Sequence, residues 1–151
     1  LTPVLRKAVI DPNADYKLVT LPVRGVGARL RTIVRGSQLG TAKYQVKTGD
    51  LMISKIDARK GSNSLLPKEL DDAVVTGDFL SYEIDQTQAS LEFLDTIVRS
   101  PVFAGICDTV SSGTTNRVRL DVKAFEAGCD AYVTKPFVPR ELLAKVRGYL
   151  G

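Results

Sequence analysis

Three groups of side chains have the types and spacing to do chemistry, and all three suit an anionic, hydrogen-bonding partner. Arg29, Arg31 and Arg35 form the first; Lys55, Arg59 and Lys60 the second; Thr114, Thr115, Asn116, Arg117 and Arg119 the third. Lys and Arg neutralise phosphates, a forked Arg offers two donors to guanine, and Asn pairs with adenine, so the set holds both positioning and base-reading types. Cations on the solvated face of a strand have the same composition, and that plainer reading stands beside the first. Reaction chemistry is harder to assemble. The chain has no His, which removes the commonest general base and the usual partner of a Ser or Cys nucleophile. Cys107 and Cys129 alone make neither a disulfide framework nor the usual four-ligand zinc site. Cys107 falls on an apolar helical face and belongs in the core, whereas Cys129 follows Gly128 with no cation evident to activate its thiol. Asp108 with Asp121-Val-Lys123 imitates the acid, acid and lysine of a metal-dependent nuclease, but so short a match arises readily by chance, and Asp121 has a structural use as a helix cap. Gly25-Val-Gly27 lacks the third glycine of a dinucleotide fingerprint and reads as a bend. No catalytic, metal or cofactor residue is expected, and the chain reads as a non-enzyme.

Charge is unevenly spread. The net value is +4, from 21 basic and 17 acidic residues. Between Tyr16 and Lys60, ten cations (among them Lys17, Arg24, Lys43 and Lys47) face only Asp50 and Asp57, a local balance of +8. From Gly61 to Val98, Lys68 stands against eight acids, a balance of −7. Such asymmetry is expected of a surface with one side turned to phosphate. At 151 residues the chain has the length of one domain, or of one domain with a short appendage, and its mixture of 44% hydrophobic and 25% charged residues is that of a folded globular protein. No run approaches the roughly 18 apolar residues of a membrane-spanning helix. Sparse cysteine suggests a reducing cytoplasm. The opening LTPVLRK, without Met or an apolar signal core, suggests a processed or excised chain.

The elements that must position these groups are β-rich first and helical later. Tyr16–Val23, Leu30–Val34, Leu51–Ile56, Ala73–Thr76 and Phe79–Ile84 read as strands, with turns at Lys47-Thr-Gly-Asp50 and Gly77-Asp78. Leu91, Leu94, Ile97 and Val98, then Val102, Phe103, Ile106, Cys107 and Val110, recur at helical spacing on either side of Ser100-Pro101. Ser111–Asn116 has no apolar anchor and reads as a loop, and Asp121 caps a brief helix ending at Gly128. Ala131–Thr134 reads as a strand, and Leu142, Leu143, Val146, Tyr149 and Leu150 form the apolar stripe of a last helix. The expected class is α+β: a twisted mixed or antiparallel β-sheet with two short helices packed on it, plus a C-terminal strand-helix unit.

Residues from about Val4 to Phe125 resemble the target recognition domain of the DNA specificity subunit of type I restriction-modification systems. The matching pieces occur in the family's order: VLRKAVIDPNADYKLVTLPVRGVG, YQVKTGDLMISKIDARKGSNSLLPKELDDAVVTGDFLSYEID, IVRSPVF and SSGTTNRVRLDVKAF. The resemblance implies sequence-specific contact with one half of a bipartite site in double-stranded DNA, with chemistry left to separate subunits. The family's partners also include the DNA modification (methyltransferase) subunits, held by a long spacer helix that this sequence does not show. Residues 1–125 are therefore expected to form a target-recognition-like domain.

The final segment, EAGCDAYVTKPFVPRELLAKVRGYL, resembles instead the last strand and helix of a response-regulator receiver domain, with Lys135 matching the Lys of that family's Lys-Pro pair. The receiver's acidic cluster and acceptor strand have no counterpart, so phosphotransfer is not expected. Residues 126–151 are then a receiver-like tail packed on the first unit, across a natural or engineered junction near Phe125. The competing function is an assembly module that has lost DNA affinity, or a chimera with no activity of its own.

Overall fold

The structure is a computed structural model that describes residues 2–88, 90–114 and 118–133, with backbone alone from 129. In chain order the strands β1 (Thr2–Pro3), β2 (Arg6–Lys7), β3 (Asp15–Thr20), β4 (Arg29–Arg35), β5 (Tyr44–Gln45), β6 (Leu51–Ser54), β7 (Asn63–Leu65), β8 (Val74–Val75) and β9 (Phe79–Glu83) precede helices α1 (Leu91–Val98) and α2 (Pro101–Thr109). A small hairpin of β10 (Ser111–Ser112) and β11 (Arg119–Leu120) leads into α3 (Val122–Val133). The expected mixed sheet is divided in two. One sheet runs β1-β9-β6-β7, wholly antiparallel, and the other runs β2-β5-β8-β3-β4, with β3 and β8 parallel.

Strand β6 explains how the layers stack. Its four residues are all buried, because successive side chains leave opposite faces of a strand and here both faces are covered. Met52 enters a cluster with Val19, Leu21, Val46, Leu66, Leu70, Ala73 and Val75, which joins the two sheets. Leu51 and Ile53 enter the other cluster with Tyr82, Val98, Cys107, Leu120 and Phe125, which joins the four-stranded sheet to the helices. The arrangement is sheet, sheet, helices. Cys107 lies in the core as expected.

Helix starts follow from local chemistry. The Ser90 hydroxyl accepts from the Phe93 amide, and the Ser100 hydroxyl accepts from the Phe103 amide at 3.2 Å with Pro101 in the first turn. Asp121 caps α3 as expected, its carboxylate accepting from the Ala124 amide at 3.0 Å.

Two local expectations are corrected. Ser111–Ser112 are not loop but pair with Arg119–Leu120; the backbone gains its partners across the hairpin, so no apolar pattern is needed. Ala131–Val133, read as strand, belong to α3; the strand and helix that the C-terminal region does contain are β11 and α3, which begin before residue 126. Gly128 does not end that helix, because a glycine inside a helix costs only about 1 kcal/mol relative to Ala. The expected junction near Phe125 falls within α3, where Phe125 is core and the Tyr82 hydroxyl donates to the Glu126 carboxylate at 3.0 Å. Thr134, Lys135 and the apolar stripe from Leu142 to Leu150 lie outside the described residues.

Candidate nucleic-acid interface

The second and third cation groups meet at one corner. Beyond β6 the chain turns through Lys55 to Lys60, with a 3-10 turn at Ala58–Lys60 that closes on Gly61 in the left-handed region at φ 94°. The Lys55 amide donates to the Asp78 carbonyl at 2.9 Å, and the Lys55 carbonyl accepts from the Leu120 amide at 2.8 Å. Those two bonds hold the Gly77-Asp78 turn and the β10–β11 hairpin against Lys55. Exposed Arg119 then reaches the Asp78 carboxylate at 2.9 Å, and Lys60 pairs with Asp57 at 3.2 Å. Both pairs are solvent-exposed, so each contributes little to stability and yields readily to a competing anion. Lys55 has no ion pair among the described residues. Arg59 is half-buried, and its Nε is enclosed without a hydrogen-bond partner among them. Thr114 is exposed in the hairpin loop. Thr115, Asn116 and Arg117 lie outside the described residues.

The first group is not brought together as a unit. Arg29, Arg31 and Arg35 are exposed along β4, an edge strand whose rise of about 3.3 Å per residue separates the first from the last by roughly 20 Å. Register also divides them. Arg29 lies opposite Thr20 and Arg35 opposite Asp15, and because Thr20 and Asp15 differ by an odd number of positions in β3, the two arginines leave opposite faces. Arg31 is the extra residue at the bulge between Leu18 and Val19. Arg35 is engaged at the far end by Asp15 at 3.2 Å. Only the loop from β3 to β4 reaches the Lys55 corner: the Arg24 amide donates to the Lys60 carbonyl at 2.8 Å and the Gly25 amide to the Gly61 carbonyl at 3.1 Å.

Two residues outside the expected set therefore enter the site. Arg24, counted in the basic window, is exposed at a positive φ of 66°. Arg99, inside the quoted IVRSPVF piece, sends its guanidinium to that loop. The sequence signal for both was the bend at Gly25-Val-Gly27, which marks a loop but not its neighbours. The described residues contain no cluster of acids, cysteines or histidines suited to a metal, and no helix among them is long and apolar enough to cross a membrane.

Over 72% of its length the chain superposes on the HsdS subunit from Thermoanaerobacter tengcongensis with a TM-score of 0.57. It shares that fold. Sequence identity is 17%, and the match spans 29% of the HsdS chain. No family model and no curated protein matches the chain. Nothing in the HsdS match supports a receiver-like reading of the last residues.

Proposed function

We propose that this chain is a double-stranded DNA-binding target recognition module, one half-site reader of a type I restriction-modification specificity subunit, without catalysis of its own. HsdS is the specificity subunit of such systems, and likeness to part of it supports a single recognition unit; the unit proposed is residues 1–125, with residues 126–151 as its tail. The observation that carries the reading is the Lys55–Gly61 turn of an HsdS-like fold, which is bonded through Lys55 to the hairpin that bears Arg119 and through Lys60 and Gly61 to the β3–β4 loop. Cations there release counterions when they meet phosphate. DNA modification subunits are the partner class that such a fold implies.

Selection on random duplex DNA, followed by titration at several salt concentrations, tests the proposal. Binding on the order of micromolar or weaker is expected for a single module, falling steeply as salt rises. Absence of binding at low salt would refute it. One observation favours assembly as a second reading: Leu30 and Ile33 are about half exposed on the edge strand β4, and an apolar edge invites pairing with another chain. Sedimentation across a concentration series separates the two, since only the assembly reading requires self-association without DNA.

A further inference from the structure

The loop joining β3 to β4 is far more constrained than a connection needs to be. An antiparallel pair can be closed by two residues, yet Leu21–Ala28 intervene here and main-chain groups along this loop are tied down. Arg99 at the end of α1 donates from Nε to the Gly25 carbonyl at 2.8 Å and from Nη2 to the Val26 carbonyl at 3.0 Å. Its Nη1 is held by the Asp95 carboxylate at 3.1 Å, and the other oxygen of Asp95 accepts from the Leu65 amide at 2.9 Å. The Arg24 and Gly25 amides are bound to Lys60 and Gly61, and the Ala28 amide donates to the Ser64 hydroxyl at 2.8 Å.

Packing is equally close. A Cβ on Gly25 would stand 2.1 Å from the Arg99 carbonyl oxygen, and one on Gly61 would stand 2.9 Å from the Gly25 nitrogen. Both glycines have positive φ. With its backbone bound inward, the loop leaves outward the exposed Arg24 side chain and, on either side of it in sequence, the partly exposed Val23 and Val26. Arg24 takes a positive φ that glycine would adopt at less cost. What the position gains over glycine is a guanidinium at the corner that already carries Lys55 and Lys60.

We propose that the Arg24–Gly27 turn is a base-reading element for duplex DNA: the Arg24 guanidinium reads a base edge, and Arg99 is the positioning residue that fixes the turn. The proposal rests on the DNA-recognition reading and names the part of the surface that discriminates. A fork of two donors matches the guanine O6 and N7 acceptors, and neighbouring apolar side chains suit the thymine methyl. A phosphate contact would need only charge and no such rigidity.

The experiment uses the full chain, a duplex enriched from a random pool and a scrambled duplex of equal length, and reads the ratio of the two affinities. That ratio does not depend on the folded fraction, so it distinguishes positioning from stability. Arg24→Lys keeps the charge and loses the fork; it is expected to retain the salt dependence while the ratio falls roughly 5- to 150-fold. Arg99→Met is expected to reduce the ratio similarly, and the double variant no further than either single one. An unchanged ratio in Arg24→Lys overturns the base-reading role. A lower melting temperature for Arg99→Met with an unchanged ratio overturns the positioning role, and Arg99→Lys, which cannot make the same fork, repeats this arm if Arg99→Met does not fold. If the unaltered chain prefers no duplex yet binds all of them, this inference fails while DNA binding stands; if it binds none, both fail.

Discussion

Replacing Asp78 by Asn should make the protein bind DNA more tightly, an outcome that a merely solvated cation cluster does not predict. The Asp78 carboxylate lies 2.9 Å from Arg119 Nη1, and both side chains are about half exposed. Asn keeps the shape and an oxygen that can accept from Arg119, and the Asp78 carbonyl that receives the Lys55 amide is untouched. What disappears is one negative charge beside Lys55 and Arg119. A unit charge roughly 7 Å from a phosphate in water is worth about 0.6 kcal/mol. Screening at physiological salt leaves about two-fifths of that. Two or three phosphates within reach then give about 0.5 to 0.8 kcal/mol, or roughly two- to fourfold in affinity. Should Arg119 also take up a phosphate, the slope of log affinity against log salt steepens by about 0.9. The accompanying loss of stability is about 0 to 1 kcal/mol, as for other exposed pairs. Fluorescence anisotropy of a labelled duplex between about 50 and 200 mM salt measures both quantities, with circular dichroism to check folding. A folded Asp78→Asn variant that binds no better at low salt would show that the Lys55–Arg119 corner does not face DNA.

Other predictions concern the fold. Phe125→Ala should cost about 3 to 5 kcal/mol, because Phe125 is 3% exposed and lies 6.0 Å from the Tyr82 ring and 6.1 Å from Phe103; a denaturant midpoint within error of the parent would show that α3 is an appendage. Asp50→Asn should destabilise by about 2 to 3 kcal/mol, below the range for a fully buried pair because Arg6 is a quarter exposed. The buried Asp50 carboxylate receives both Arg6 and the Lys47 amide, and urea unfolding measures the loss. The Asp71 carboxyl is held below its ordinary value of 3.8, first by the Thr48 amide and then by the Thr48 hydroxyl. A depressed folded value means stabilisation present above the unfolded value and lost as pH falls through the folded one. Asp71→Asn should therefore remove part of the acid sensitivity seen by chemical denaturation between about pH 5 and pH 2; identical profiles for the two proteins would refute the assignment.

Much of the scaffold was legible in the chain because it depends on local pattern. Apolar spacing marked α1 and α2, Ser100-Pro101 marked the start of α2, and alternating or continuous apolar runs marked β3, β4, β6, β8 and β9. The short strands β1, β2 and β5, and polar β7, were not legible. Two or three residues carry no period, and each becomes a strand only because a partner edge supplies hydrogen bonds, as β6 does for Asn63–Leu65. The same limit applied to β10 and β11 and to the last turns of α3, where a helix continued past a glycine.

For the candidate site, residue type was readable and convergence was not. The sequence by itself determined which segments carry cations, that no histidine is available, and that Gly25-Val-Gly27 bends the chain. Only the tertiary structure decided that Lys55, Lys60 and Arg119 share a corner, that Arg29 and Arg35 diverge, and that Arg24 and Arg99 join the site. The physical reason is sequence distance. Lys55 meets Leu120, and Arg99 meets Gly25, across separations that no local periodicity spans; those contacts are made by backbone amides, carbonyls and a guanidinium whose neighbours are set by how the two sheets and the helices close around β6.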